Sequence, residues 1–264
     1  MSNLGGITVE YLSFRKTGKK GYITLQNDSQ RNALSLAVLT EFNELLEEIK
    51  PQRDLNVIVI ESEGKVFSSG HNLREVGRQS AHDVLNLFNV CQTFFLKLRD
   101  IPQVTIAKVH GIATAAGCQL VAACDLAVSS TEARFATPGV NIGLFCSTPA
   151  VFVSRNVGRK KAAEMLFTGD FISAHDALNS GLVNQVVPPE QLEDAVEALA
   201  DRVARHNLST LEIGKNEFYR QLNMEDFQAL TYATQVIALN SAHPDAIEGI
   251  DAFLQKRPPN WRAE

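Results

Sequence analysis

Strand-like and helix-like patterns alternate along most of this sequence. Residues 57–60, Val-Ile-Val-Ile, are four consecutive β-branched residues, a run typical of a strand covered on both faces. Apolar residues recur at spacings of three and four over 36–49 before this run and over 84–98 after it, which predicts a helix on each side. Ser35 is a suitable N-cap for the first helix. This order favours an α/β fold with largely parallel strands.

Other segments extend the strand pattern. Residues 8–14 and 21–25 are rich in β-formers and are joined by a polar turn over 15–20, which predicts an antiparallel hairpin. Residues 104–109 and 126–129 are expected to form further strands, each following a helical or small-residue segment. The strands therefore continue well past the middle of the chain.

The pattern becomes entirely helical after the two prolines at 188–189. The last helix is expected to begin at Pro244, because proline is well tolerated in the first turn of a helix. We therefore divide the 264-residue chain into an α/β core over residues 1–190 and a C-terminal helical region over residues 191–264.

Composition excludes several classes of partner. A hydrophobic fraction of 45% is that of a globular protein, and a net charge of -5 offers no basic stripe for nucleic acid. The longest apolar runs fall far short of the roughly 20 residues that cross a bilayer, so no membrane partner is expected. Four cysteines, at 91, 118, 124 and 146, lack metal-ligand spacing and indicate buried thiols, no metal site and a reducing compartment. No targeting segment is visible, which favours the cytoplasm, or mitochondria if a presequence has been removed.

Two turns that follow strands carry the features of a binding site. Gly70 permits a sharp turn within residues 65–73, and such a turn can direct the N–H of His71 into a cleft. Residues 110–120 are mostly small and open a helix whose first N–H groups are free. Taken alone, the first turn is better explained by simple turn chemistry, and the second is explained equally well by a close helix-to-helix contact. Together they could supply two convergent N–H donors for an oxyanion.

Competing site motifs are absent from the sequence. It contains no GxGxxG after a strand, no GxxxxGK[ST], no HExxH and no GxSxG. His71 and His110 lie in the two candidate segments, but neither has a carboxylate partner beside it. We expect both imidazoles to pack or face solvent rather than act as bases.

Several distinctive segments follow one another along nearly the whole chain: 31–35 (RNALS), 67–73, 110–125, 135–138 (FATP), 166–174, 181–183 and 253–257 (FLQKR). Together they resemble the crotonase, or enoyl-CoA hydratase/isomerase, superfamily. The resemblance implies a spiral of ββα units with a C-terminal helical region that builds homotrimers, often paired into homohexamers. It also implies that the partner is an acyl-CoA thioester.

The resemblance also implies where the thioester binds. Its carbonyl oxygen would accept hydrogen bonds from the N–H groups of His71 and Ala116. His71 directly follows the turn glycine Gly70, and Ala116 directly precedes Gly117. No separate cofactor is implied, because coenzyme A arrives as part of the substrate.

The remaining matching positions lie along the coenzyme. Ala33 and Leu34 correspond to residues beside the CoA moiety. Phe253 and Lys256 correspond to residues that meet its adenine and phosphate end, in some cases from a neighbouring subunit. An exposed C-terminal helix without this role is the alternative for the last two.

The sequence departs from the family at the two positions whose side chains transfer protons during hydration. Family hydratases use two glutamates, and this chain has Gln119 and Gly139 at those positions. Ser147 lies near a position that carries a carboxylate in some family isomerases, and Cys146 or Thr148 could also substitute. A capped turn before a helix starting at Pro149 is the favoured explanation of these residues, with Cys146 buried and inert. Restoring both glutamates is expected to raise hydration if the backbone at 139 accepts a side chain.

Three hypotheses follow. The first is an acyl-CoA-binding enoyl-CoA hydratase/isomerase-like protein of fatty acid or related metabolism, with its oxyanion site intact and its hydratase activity weak or altered. The alternative is a non-catalytic acyl-CoA sensor or oligomeric scaffold. A family hydrolase or decarboxylase that needs only enolate stabilisation and an oriented water is the third.

Overall fold

The computed structural model describes residues 10–261, in which α-helices pack around two β-sheets. The strands in this range are β1 (Leu12–Thr17), β2 (Lys20–Leu25), β3 (Val57–Ser62), β4 (Val66–Ser68), β5 (Val104–Val109), β6 (Ile112–Thr114), β7 (Leu126–Ser130), β8 (Arg134–Ala136), β9 (Ile172–Ser173) and β10 (Gln185–Val187). The α-helices are α1 (Leu36–Ile49), α2 (Ala81–Asp100), α3 (Ala116–Ala123), α4 (Ser147–Asn156), α5 (Arg159–Thr168), α6 (Ala174–Ser180), α7 (Leu192–Ala204), α8 (Leu208–Gln221), α9 (Asp226–Ser241) and α10 (Pro244–Leu254).

The two sheets are built from repeated ββα units. The larger sheet has the order β1-β2-β3-β5-β7-β10 and the smaller has the order β4-β6-β8-β9. Neighbouring strands are parallel except in the β1–β2 and β8–β9 pairs. Each of β3, β5 and β7 is followed by a short strand of the smaller sheet and then by a helix. This arrangement confirms the α/β class and the spiral of ββα units that the resemblance implies.

Strand β3 is covered on both faces, as its β-branched run predicts. Ile58 and Ile60 belong to the main core, with helices α1 and α2. Val57 and Val59 point the other way and belong to a second cluster with Leu192, Val196 and Ala200 of α7. Helix α7 lies in the predicted C-terminal region, yet it covers a face of the larger sheet. The division of the chain at residue 190 stays a prediction.

The hairpin and the first helix form where the sequence predicts them. Strands β1 and β2 pair Thr17 with Lys20, so the turn contains only Gly18 and Lys19 and the predicted turn over 15–20 is too long. Residues 8 and 9 of the predicted first strand lie outside the described range. The Ser35 side chain accepts a hydrogen bond from the N–H of Val38 and caps α1.

Candidate active site

The first turn holds one peptide unit so that its N–H faces away from the protein core. Gly70 has a φ of +87°, and its carbonyl accepts a hydrogen bond of 2.8 Å from the N–H of Leu34. The carbonyl and N–H of one trans peptide unit point in opposite directions. The N–H of His71 therefore points away from Leu34, and it donates to no acceptor among residues 10–261.

The second turn presents an N–H in the same way. Ala115 has φ 50° and ψ −118°, and its carbonyl accepts a hydrogen bond of 3.0 Å from the N–H of Gln119 in the first turn of α3. The opposite end of the same peptide unit, the N–H of Ala116, therefore points out of the helix. Within the described part of the chain this N–H also has no acceptor.

The two turns touch each other at both of their glycines. A Cβ atom on Gly70 would lie 2.8 Å from the Cβ of Ala115 and 3.0 Å from the nitrogen of Ala116. A Cβ atom on Gly117 would lie 2.3 Å from the carbonyl oxygen of Ser68. Only glycine fits at these contacts, so the two turns that carry the unpaired N–H groups pack directly against each other.

His71 and Ala116 both line a cavity of about 490 Å³. Most of its wall is apolar, and no Asp or Glu side chain lines it in the range 10–261. Two adjacent main-chain donors in an apolar cavity can stabilise negative charge on one carbonyl oxygen. The cavity is lined by Ser69, His71, Leu73, Val76, Phe88, Ala115, Ala116, Pro138, Gly139, Asn141, Ile142, Leu144, Phe145, Cys146, Ser147, Thr148 and Pro149.

Gln119 lies beside this cavity but not in its wall. Its side chain is 2% exposed, and its Oε1 atom has no hydrogen-bond partner in the described residues. An amide cannot take up or release a proton near neutral pH. The role of Gln119 in the reaction stays a prediction.

The backbone of the 138–147 loop closes over Gly139. The Gly139 N–H donates to the Sγ of Cys146 at 3.3 Å, and its carbonyl accepts from the N–H of Leu144 at 3.0 Å. A Cβ atom on Gly139 would lie 2.0 Å from the carbonyl oxygen of Leu144. Burial raises the pKa of the Cys146 thiol, which stays protonated and is no ready nucleophile. The position of the second family glutamate therefore has no room for a side chain.

Ser147 lines the cavity from the start of α4. Its Oγ donates a weak hydrogen bond of 3.4 Å to the carbonyl of Phe145, and the N-cap, Cys146, makes no side-chain capping bond. The expected helix start at Pro149 is wrong by two residues, because proline needs no N–H partner in the first turn and the helix begins at Ser147. The catalytic role of Ser147 stays a prediction.

The rings of His71 and His110 each lie within hydrogen-bond distance of a main-chain carbonyl oxygen. The Nδ1 of His71 lies 3.0 Å from the carbonyl oxygen of Leu34, and its Nε2 lies 3.5 Å from the Sγ of Cys91. Burial lowers the pKa of His71, which keeps the imidazole neutral. The Nε2 of His110 lies 3.0 Å from the carbonyl oxygen of Gly64, and His110 does not line the cavity. Sequence reasoning missed the contact with Cys91.

The residues predicted to lie along the coenzyme fall into two groups. Ala33 and Leu34 are 6% and 0% exposed, and Leu34 uses both its N–H and its carbonyl to hold Gly70 and His71. The side chain of Phe253 is 82% exposed on α10, and Lys256 follows the end of that helix. Contacts of these residues with CoA stay predictions.

The two sheets and the ββα spiral define a protein of the crotonase fold. The sequence model of the enoyl-CoA hydratase/isomerase family matches residues 18–264. The chain therefore belongs to the enoyl-CoA hydratase/isomerase family.

Relatives of known sequence or structure support this membership. The chain is 48% identical over 241 residues to enoyl-CoA hydratase domain-containing protein 3, mitochondrial, of Rattus norvegicus, covering 90% of this chain and 80% of that protein. The crystal structure of human enoyl-CoA hydratase domain-containing protein 3 matches with a TM-score of 0.92 at 44% identity, and the match covers 96% of this chain and 100% of that one. An enoyl-CoA hydratase of Mycobacterium smegmatis gives a TM-score of 0.94 at 42% identity, with coverage of 97% and 100%. Residues 135–149 of the sequence resemble the same group of proteins, and the comparisons over most of the chain confirm the likeness to it.

No helix within residues 10–261 is both long enough and apolar enough to span a membrane.

Proposed function

We propose that the chain binds an acyl-CoA thioester and polarises its carbonyl between the N–H groups of His71 and Ala116. The observation that carries this proposal is that both groups lack a protein acceptor while they adjoin the same cavity. Their partner carbonyls, on Gly70 and Ala115, are tied to Leu34 and Gln119, so the donors are fixed before any ligand arrives. Preorganised donors of this kind often contribute more than any other group to the stabilisation of an enolate.

Catalysis by the two-glutamate hydration route is disfavoured in this site. Gln119 has no proton to exchange, and the Leu144 carbonyl occupies the space where a side chain at Gly139 would begin. Each missing acid or base costs about 10² to 10⁴ in rate. We propose weak or altered activity, acting on an acyl group that suits the apolar wall formed by residues such as Leu73, Val76 and Phe88.

A non-catalytic acyl-CoA sensor or scaffold is the second candidate. The closed backbone at Gly139 favours it, because this closure removes a catalytic position without disturbing the two donors. A family hydrolase or decarboxylase that needs only the donors and an oriented water stays a third prediction. The cytoplasmic or mitochondrial location also stays a prediction, and the names of the protein 3 relatives favour mitochondria.

Spectroscopy with a conjugated acyl-CoA tests the proposal. We expect para-dimethylaminocinnamoyl-CoA to absorb at longer wavelength when bound, because polarising the thioester carbonyl draws electrons from the amino group. We also expect crotonyl-CoA to be hydrated at least about 10²-fold more slowly than by a two-glutamate hydratase of the family. Binding in calorimetry without a spectral shift would refute the oxyanion hole, and hydration at the full family rate would refute the proposed loss of catalysis.

The oligomer implied by the resemblance is also part of the proposal. Helix α9 buries none of its residues, and Phe227, Leu230 and Ile237 lie on one side of it at 83%, 68% and 62% exposure. A cluster of large exposed apolar side chains marks a surface that a partner covers. We propose that α9 contacts other copies of the chain in a homotrimer, alone or paired as a hexamer.

A charge placed on this face is expected to break the oligomer. Leu230→Glu would bury a carboxylate in the contact, so light scattering after gel filtration should show a smaller species than the unaltered chain gives. Gln235→Glu adds the same charge at an exposed position on another side of α9 and should leave the mass unchanged. A monomeric unaltered chain, or equal masses for all three proteins, would contradict the proposed contact.

A further inference from the structure

The side chain of His71 lies behind its own main-chain N–H and joins two separate elements. Its Nδ1 lies 3.0 Å from the carbonyl oxygen of Leu34, just before α1, and its Nε2 lies 3.5 Å from the Sγ of Cys91 on α2. The ring of Phe88 meets the imidazole edge-on, with centroids 4.9 Å apart. Both ring nitrogens therefore have partners, and the ring has little freedom to turn.

The partners determine which nitrogen carries the proton. A carbonyl oxygen only accepts hydrogen bonds, so Nδ1 of His71 must be the N–H end. Burial lowers the pKa of His71 and raises the pKa of Cys91 to about 12, so the imidazole is neutral and the thiol keeps its proton. The Cys91 S–H then donates to Nε2. This pair is not a nucleophile and base, because Cys91 is 1% exposed and does not line the cavity.

Leu34 links this ring to the peptide unit that carries the donor. Its N–H holds the carbonyl of Gly70, and its own carbonyl holds the imidazole of His71. Gly70 itself imposes little constraint, since glycine turns readily about its backbone bonds. The orientation of the His71 N–H is thus set by the Leu34 hydrogen bond on one side and by the ring contacts on the other.

We propose that the His71 imidazole and the Cys91 thiol are positioning groups that align the His71 N–H with the thioester oxygen. This inference rests on the proposed function. The rival explanation is that the ring only fills space beside Phe88. The two explanations differ in whether the hydrogen bonds of the ring matter. An apolar side chain of similar size fills the same space but makes neither hydrogen bond, so it separates them.

Variants of the full chain separate these explanations. His71→Leu keeps much of the volume and loses both bonds, while Cys91→Ala removes only the S–H donor, and Cys91→Ser restores a donor to Nε2. Cys124→Ala is the matched control, since Cys124 is also a buried thiol but lies beside Thr105 rather than His71. The readouts are the red shift of bound para-dimethylaminocinnamoyl-CoA and its calorimetric affinity.

We expect His71→Leu to bind the probe within a few-fold of the unaltered chain but to lose about half of the red shift, because one of two donors is misaligned. Cys91→Ala should lose part of the shift, and Cys91→Ser and Cys124→Ala should keep it. Full shifts in both His71→Leu and Cys91→Ala would overturn the positioning role and leave the oxyanion hole intact. No shift in the unaltered chain would overturn the proposed function and this inference with it.

A measurement on the unaltered chain keeps the inference testable if a variant does not fold. Nitrogen-15 chemical shifts of the His71 ring should show a protonated Nδ1 and an unprotonated Nε2 at neutral pH. A protonated Nε2 would overturn the assignment of Cys91 as the donor.

Discussion

Replacing Gly70 with alanine is expected to destabilise the fold by about 2 to 4 kcal/mol and to abolish the red shift of the bound cinnamoyl probe. The new Cβ would lie 2.8 Å from the Cβ of Ala115, 2.9 Å from the carbonyl oxygen of Thr114 and 3.0 Å from the nitrogen of Ala116. Two of these atoms are backbone, so the strain falls on the turn that carries the second donor. Gly70 also has a φ of +87°, which costs an alanine further energy.

Gly18→Ala is the matched control for this change. Gly18 also has a positive φ, +58°, but no atom lies within 4 Å of its Cβ position. Urea unfolding should therefore show a loss of only about 1 kcal/mol, and the probe shift should not change. If Gly70→Ala costs no more than Gly18→Ala, the two turns do not touch in the way the structure describes.

The fold was predictable where long elements repeat a clear pattern. The run at 57–60 predicts a strand covered on both faces, and α1 and α7 indeed cover its two sides. Strands β4, β6, β8 and β9 could not be read from the pattern, because each has only two or three residues. The residues alone thus predict a strand and helix alternation, and the resemblance was needed for the second strand of each unit.

The site was predictable in part for a similar reason. Gly70 and the small residues after 110 indicate two tight turns that follow neighbouring strands, so their meeting is a consequence of the topology. The contact of His71 with Cys91 joins residues 20 positions apart on a turn and a helix, and no local pattern marks it. The closure over Gly139 depends on the path of the chain from Pro138 to Leu144, which includes Gly143 at a φ of +73°. A sequence motif does not show such a path.

Restoring the family glutamates is expected to fail at Gly139. The sequence suggests that Gln119→Glu with Gly139→Glu raises hydration if position 139 accepts a side chain. The backbone there does not have a positive φ, so strain of that kind is not the obstacle. The obstacle is steric, since a Cβ would lie 2.0 Å from the Leu144 carbonyl oxygen and 2.9 Å from the Sγ of Cys146. We expect Gly139→Glu to lower the free energy of unfolding by about 2 to 4 kcal/mol.

The double variant should hydrate crotonyl-CoA no faster than Gln119→Glu alone. Gln119 is 2% exposed, so burial would raise the pKa of a glutamate there, and any gain should come from that residue alone. Gly139→Ala should lower the free energy of unfolding nearly as much as Gly139→Glu, because the Cβ atom itself would overlap the Leu144 carbonyl oxygen. Gly158→Glu, where no atom lies within 4 Å and φ is −61°, should cost no more than about 1 kcal/mol, the loss of a favoured N-cap residue of α5. The prediction would be contradicted by a double variant that unfolds at the same urea concentration as the unaltered chain and hydrates crotonyl-CoA faster than Gln119→Glu. That result would show that the backbone over 138–147 moves to accommodate a glutamate side chain at position 139.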